Sequence, residues 1–491
     1  MKRSSGILMP VFSLPSPYGI GTLGKAAYEF IDFLAAAKQS WWQILPVGPT
    51  SFGDSPYQSF STFAGNPYFI DLDMLIKDGL LKKSEFTNLD WGSDEEQVDY
   101  GKIYTNKFKV LRKAYERGFA RDKKAFEAFA AENAWLGDYA LYMACKKHFD
   151  MQCWTQWEDE GIRLHEAQSV RKYEQLLKDD VDFYAYLQFL FYTQWEALRA
   201  YAKENDIGII GDVPIYVALD SADVWANPKY FMLDKKNVPI DVAGVPPDYF
   251  SKTGQLWGNP LYDWDYMKQE GYGWWIRRID GAGKLYDIIR IDHFRGFESY
   301  WAVPNGEETA IKGEWRKGPG LELVSTLTNW FPQISFIAED LGILTDEVRA
   351  LLKDSGLPGM KVLEFAFSGE EPSNYMPHRY EKNCVCYTGT HDNTTLSAWL
   401  KQADKKELAR VKAYAGLNAG EGFAAGVIRL GMSSVADLFI AQMQDYLGLG
   451  ASARINTPGI NENNWLWRMK KGAASAALAK KIAKITLRYE R

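Results

Sequence analysis

A chain of 491 residues that is 46% hydrophobic and 24% charged can bury a large core and has the balance of an ordinary globular protein. Its formal charge of −6, with no basic stripe or Lys/Arg run, excludes a nucleic-acid binder and sets the expectation of no nucleic-acid partner. Four cysteines are too few for a disulfide framework at this length, and no segment reaches the roughly 18 apolar residues of a membrane helix, so a reduced, cytoplasmic protein without membrane contact is expected.

The opening stretch, MKRSSGILMPVF, has two basic residues and a short apolar run broken by Pro10, which fits neither a signal peptide nor a span. Gly6 to Phe12 reads as a first strand, Lys25 to Lys38 as an amphipathic helix and Trp41 to Pro46 as a second strand. After Ser51 the pattern stops, and a polar, Lys/Glu-rich and mainly helical excursion runs over 51–180. A helix over 183–203 and a strand over 207–213 resume it, followed by a second excursion, 218–272, rich in Trp, Tyr and Pro. Then come a helix over 274–285, strands over 286–292 and 333–338, a helix over 345–354, and strands over 360–366 and 384–388. A last strand is expected at 451–455 and a last helix at 472–487.

Strands alternating with helices imply a parallel sheet. Eight such units close a TIM-type (β/α)8 barrel of about 250 residues, so 1–491 reads as one catalytic barrel with large insertions on the loops at the carboxy-terminal face of its strands. The competing architecture is an open doubly wound sheet. The 18 Trp, 28 Tyr and 26 Phe are explained largely by core and rim, although some could line a groove for flat, partly apolar rings.

Two motifs invite other chemistry. Gly19-Ile-Gly21-Thr-Leu-Gly24 matches a dinucleotide fingerprint between strand and helix. That reading needs an acid at the end of the second strand to hold a ribose, and Pro46-Val-Gly-Pro49 offers none, so the glycines read as a turn. Cys384-Val-Cys386 resembles half a metal site, but no second pair lies nearby and the stretch reads as a buried strand.

Acids end four of the expected strands: Asp212, Asp292 in Arg290-Ile-Asp-His293, Glu339 in Ala338-Glu-Asp340, and Asp392 in His391-Asp-Asn393. Each has a bland reading, such as Asp392 capping the next helix or Asp292 pairing with Arg290. In a parallel barrel, however, strand ends open on one face, and four acids there suit glycosyl transfer. Asp292 is then the nucleophile, held ionised by Arg290 two residues away on the same face, and Glu339 the acid/base, its pKa raised by Asp292 and Asp392. His293 and His391 are placed to hydrogen-bond sugar hydroxyls; metal ligation is the alternative for them.

The long motifs make the resemblance specific. Ser13 to Gly21, Ser55-Pro-Tyr-Gln-Ser59 with Phe63-Ala-Gly-Asn-Pro67, Tyr249 to Pro260, and Asn456-Thr-Pro-Gly459 through Asn464-Trp465 resemble 4-α-glucanotransferases, also called amylomaltases or disproportionating enzymes, of glycoside hydrolase family 77 in the α-amylase clan. The resemblance runs essentially end to end. It implies Asp292 as nucleophile, Glu339 as acid/base and Asp392 as transition-state stabiliser, with Tyr57, Asp212, Arg290, His293 and His391 at the donor site. Gln255 and Trp257 match a loop folding over the cleft, and Asn464 one that shapes a channel. Implied substrates are maltooligosaccharides and starch- or glycogen-derived α-1,4-glucans, with glucose as acceptor and neither cofactor nor metal. An amylase-type α-glucan hydrolase, and a non-catalytic glucan-binding protein, are the competing functions.

Overall fold

A computed structural model of the chain describes residues 2–51, 53–247, 251–342, 344–369, 373–418, 420–460 and 462–491. Tyr249 and Phe250, which open the Tyr249–Pro260 motif, and Asn461 lie outside the described residues. Eight short strands form one parallel sheet: β1 (Ser4–Leu8), β2 (Trp41–Gln43), β3 (Gly208–Pro214), β4 (Ile288–Asp292), β5 (Ser335–Ala338), β6 (Gly359–Val362), β7 (Cys384–Tyr387) and β8 (Leu438–Gln442). The first strand pairs with the last, Gly6 opposite Ile440, so the sheet curls on itself instead of opening as a doubly wound sheet would. The seam between β5 and β6 is joined by the Ala338 N–H donating to the Pro358 carbonyl at 3.0 Å.

β8 corrects the expected last strand. Leu438-Phe-Ile-Ala-Gln442 is completely buried, whereas Ala451–Ala453 forms one short 3-10 turn. A strand covered on both faces carries no alternation, so a five-residue apolar run gives no periodic signal to find it by.

Between β2 and β3 the chain builds helices that include Tyr100–Gly118, Lys123–Glu132 and Leu136–His148 before the long helix Lys178–Glu204 returns to the barrel. A buried lysine ties them to the loop after β3. Lys146 donates to Asp220 Oδ2 at 2.6 Å and to the Met151 and Gln152 carbonyls at 2.8 and 2.9 Å. Four antiparallel strands, in the lateral order Gln255–Pro260, Asp241–Val245, Ser299–Pro304 and Glu314–Lys317, combine the loops after β3 and β4. Their Gly- and Pro-rich surroundings concealed them from sequence patterning. Among the described residues no helix is long and apolar enough to cross a membrane.

The glycine fingerprint packs against protein. A side chain on Gly24 would meet the Asp71 carboxylate at 2.0 Å, and Asp71 itself accepts from Thr22 Oγ1 at 2.6 Å. A carboxylate thus stands at the turn where the fingerprint would need room for pyrophosphate. Cys384 and Cys386 lie within β7, where burial pushes both thiols up to about 12.

One buried charge makes a testable demand on stability. Lys107, 1% exposed, donates to the Ile70 carbonyl at 2.6 Å, and burial pushes its ammonium down to about 7. An unfolded lysine titrates near ~10.4, so between about pH 7 and 10 the unfolded chain binds a proton the folded chain does not, and stability from this group rises with pH. Lys107→Met is expected to flatten that rise, seen as a smaller gain in Tm from pH 7 to 9 than in the parent chain.

Candidate active site

Strand register assembles the acids. Asp212 lies opposite Arg290 across β3 and β4, and Ile291 lies opposite Ala338 across β4 and β5. Asp292 and Glu339 therefore sit side by side at the ends of neighbouring strands, which run about 4.8 Å apart. The Glu339 N–H donates to the Ile291 carbonyl at 3.0 Å, and the Phe294 N–H donates to the Glu339 carbonyl at 3.1 Å.

Arg290, 3% exposed, is shared between two carboxylates. Its Nη1 donates to Asp212 Oδ1 and Oδ2 at 2.8 and 2.6 Å and to Asp292 Oδ1 at 2.9 Å. Burial works against its charge, and Asp212 and Asp292 more than offset that. Asp292 is 28% exposed towards the cleft. Burial lifts its carboxyl well above the ordinary range; Arg290 opposes the lift, while Asp212, Glu339 and Asp392 add to it. Arg290 thus acts on Asp292 in the expected direction, but one guanidinium serves two acids inside a group of four and burial outweighs it.

The Glu339 carboxyl is also raised, in the expected direction but chiefly by burial and only secondarily by Asp392, against Arg290 and two backbone donors. The donors are His293 N–H to Oε2 at 2.7 Å and Leu341 N–H to Oε1 at 2.8 Å. His293 reaches this position in a left-handed turn, φ 56°, directly after β4. Its ring packs edge-on to Trp257 with centroids 4.8 Å apart, and burial, then Arg295, holds its pKa down to about 3. Trp257 Nε1 donates to Gln255 Oε1 at 3.2 Å. His391 stacks on Tyr57, centroids 5.1 Å apart, and burial lowers its pKa against Asp392. Both rings are thus neutral hydrogen-bonding groups at pH 7. Tyr57 OH donates to Asp212 Oδ2 at 2.7 Å.

A cleft of about 680 Å³ is lined by Tyr57, Gln255, Trp257, Asp292, His293, His391, Asp392 and Asn464. Asp212 and Arg290 lie buried beneath it, and Glu339 touches it through His293. The Asn464 side chain closes its own loop: Oδ1 accepts from Thr457 N–H at 2.9 Å, and Nδ2 donates to the Ile460 carbonyl at 2.6 Å. Of the eleven residues singled out in the sequence, eight line this cleft, and Asp212, Arg290 and Glu339 are bonded to Tyr57, Asp292 and His293 of its lining.

Sequence reasoning passed over the support of Asp392. Asn456 Nδ2 donates to Asp392 Oδ1 at 2.6 Å, its N–H donates to the His391 carbonyl at 3.1 Å, and Arg454 holds the Asp392 carbonyl at 2.5 Å. Asn456 opens the Asn-Thr-Pro-Gly motif, the one sign of its importance in the sequence. Asn456→Ala is expected to lower kcat about tenfold with little change in Tm, because a charge-assisted hydrogen bond to an active-site acid is lost at the edge of the cleft. Steady-state transfer assays check it.

Fold and site together define an α/β-barrel enzyme whose paired strand-end carboxylates suit work on glycosidic bonds. The family model described as 4-alpha-glucanotransferase, glycoside hydrolase family 77, matches residues 9–474. A 4-alpha-glucanotransferase of Clostridium butyricum is 50% identical over 98% of this chain and 100% of its own length. One from Thermus thermophilus is 45% identical over 97% of this chain and 96% of its own. The structure of the Streptococcus agalactiae amylomaltase in complex with acarbose superposes with a TM-score of 0.97, at 40% identity and 100% coverage of both chains. The chain belongs to the 4-alpha-glucanotransferase family, glycoside hydrolase family 77. Its activity is that of a 4-alpha-glucanotransferase.

Proposed function

We propose that the chain transfers segments of 1,4-α-D-glucans by a retaining double displacement through a covalent glycosyl-Asp292 intermediate. The observation that carries this is the placement of Asp292 and Glu339 side by side on neighbouring strands, with Arg290 bonded to Asp292. Neighbouring strands about 4.8 Å apart bring two strand-end carboxylates within reach of the separation of about 5 Å that retaining chemistry uses. In the first step an Asp292 oxygen bonds to the anomeric carbon, the glycosidic C–O bond breaks, and Glu339 gives its proton to the departing 4-oxygen. In the second, the 4-hydroxyl of the acceptor gives its proton to Glu339 and bonds to the anomeric carbon as the Asp292 ester breaks. The Arg290 bond to Asp292 favours the ionised nucleophile, and Glu339, to which no cation among the described residues is bonded, carries the proton of the first step.

On this reading Asp392, held by Asn456, grips sugar hydroxyls as the ring distorts. Neutral His293 and His391 bond sugar hydroxyls, with Tyr57, Asp212 and Arg290 forming the donor-site floor. The donors are maltooligosaccharides and starch- or glycogen-derived α-1,4-glucans, with glucose as acceptor, and the chemistry needs no cofactor or metal. Residues 1–491 act as one catalytic barrel, with 51–180 and 218–272 as insertions. The free thiols of Cys145, Cys153, Cys384 and Cys386 support a cytoplasmic setting.

The test is incubation with maltotriose, following chain length, glucose and total reducing ends. Longer maltooligosaccharides plus glucose at constant reducing ends are expected; rising reducing ends without longer chains would make hydrolysis the main reaction. Trp257, packed on His293 at the cleft wall, is placed to exclude water from the ester. Trp257→Ala is expected to raise the hydrolysis-to-transfer ratio about tenfold, on the scale of one lost apolar contact of 1–3 kcal/mol, as read from the same assay.

A further inference from the structure

Asp340 follows the acid/base residue directly and faces away from the cleft. It is 2% exposed. Its Oδ1 accepts from the Met360 N–H at 2.6 Å, across the seam between β5 and β6. The carboxylate lies flat on Gly359: a side chain there would meet Oδ2 at 2.8 Å and Cγ and Oδ1 at 2.9 Å. Elsewhere round the barrel, neighbouring strands are joined by backbone ladders, whereas at this seam one backbone bond, Ala338 to Pro358, joins them. The carboxylate thus supplies the acceptor that a continued β5 would have offered to β6. Glu339 is gripped on its other side by His293 and Phe294 from the turn after β4. Burial lifts the Asp340 carboxyl to about 6, with Lys361 opposing, so at pH 7 it accepts as an anion.

We infer that Asp340 is a positioning residue for the acid/base step: by clasping Met360 across the incomplete seam, it fixes the strand end from which Glu339 reaches the scissile oxygen. The inference rests on the reading of Glu339 as acid/base, and the experiment separates the two. Fluoride leaves carbon as an anion and needs no proton, so an α-maltotriosyl fluoride donor bypasses general acid catalysis while still requiring Asp292.

The measurement is first-turnover release, of fluoride from that donor and of the leaving sugar from maltotetraose, in the parent chain, D340A, D340N, G359A and E339Q. D340A is expected to slow the maltotetraose reaction about 100-fold, within the span of general acid effects, and the fluoride reaction by less than about threefold. D340N keeps an oxygen for the Met360 N–H and should recover most of the loss. G359A, whose new methyl displaces the carboxylate, should reproduce the D340A signature if D340A does not fold. E339Q must show the same leaving-group dependence; if it does not, the acid/base reading of Glu339 fails. If E339Q shows it while D340A or G359A slows both donors equally or neither, Asp340 is a stabilising residue alone and the inference is overturned.

Discussion

Asp292→Asn is expected to abolish transfer and hydrolysis together, lowering kcat about 10,000-fold or more, the scale seen when a covalent nucleophile is removed. The amide keeps the shape of the carboxylate and an oxygen for Arg290 Nη1, which now stands 2.9 Å away, but it cannot form the glycosyl ester. The fold is expected to gain from the change. Burial raises the native Asp292 carboxyl well above the unfolded value. The native state therefore holds its proton to higher pH than the unfolded chain, and stability from this group falls as pH rises from about 4. Asp292→Asn removes that fall, so its Tm should match or exceed the parent's at pH 7 and the two should converge near pH 4. Thermal melts at both pH values check the sign. A variant retaining a tenth of parental transfer would move the nucleophile elsewhere.

The same residues show how far sequence alone reaches. β3 and β4 are legible because short apolar runs end abruptly in charge, at Asp212 and at Arg290 to His293. β8 is not, since Leu438–Gln442 is buried on both faces and ends in a neutral Gln. The four antiparallel strands were hidden among turn residues, and part of their pairing joins chain segments nearly 60 residues apart, as Ala243 with Ala302. The three acids could be found because two are displayed at strand ends, Asp292 and Glu339, and the third, Asp392, lies in the turn five residues after Tyr387 closes its strand. What supports them could not: Asn456 reaches Asp392 across 64 residues. Asp340 sits beside Glu339 in sequence yet works on the opposite side of the strand, against Met360. Glu364 likewise gave no sign in the sequence, although burial raises its carboxyl well above the usual range, with Asp445 adding to the lift and Arg454 opposing it.

Arg290 is where stability and catalysis are coupled most tightly, and its removal should cost both. Arg290→Ala leaves Asp212, 3% exposed, and Asp292 without the guanidinium they share. Breaking a buried ion pair from one side costs about 3–5 kcal/mol, so a large fall in Tm is expected at pH 7, with partial recovery at lower pH as the orphaned carboxyls take up protons. Arg290→Lys keeps a charge but loses the planar fork that reaches two acids at once. It should fold, with kcat/KM reduced about 100-fold, comparable to the loss of one preorganised electrostatic contact. The diagnostic is the pH profile. Arg290 lowers the Asp292 carboxyl against burial, so weakening it lets that carboxyl rise. Because the nucleophile must be ionised, the acidic limb of kcat/KM should move to higher pH in Arg290→Lys. A limb that stays in place while kcat/KM collapses would mean that Arg290 serves sugar binding through Asp212 and does not govern the charge of Asp292.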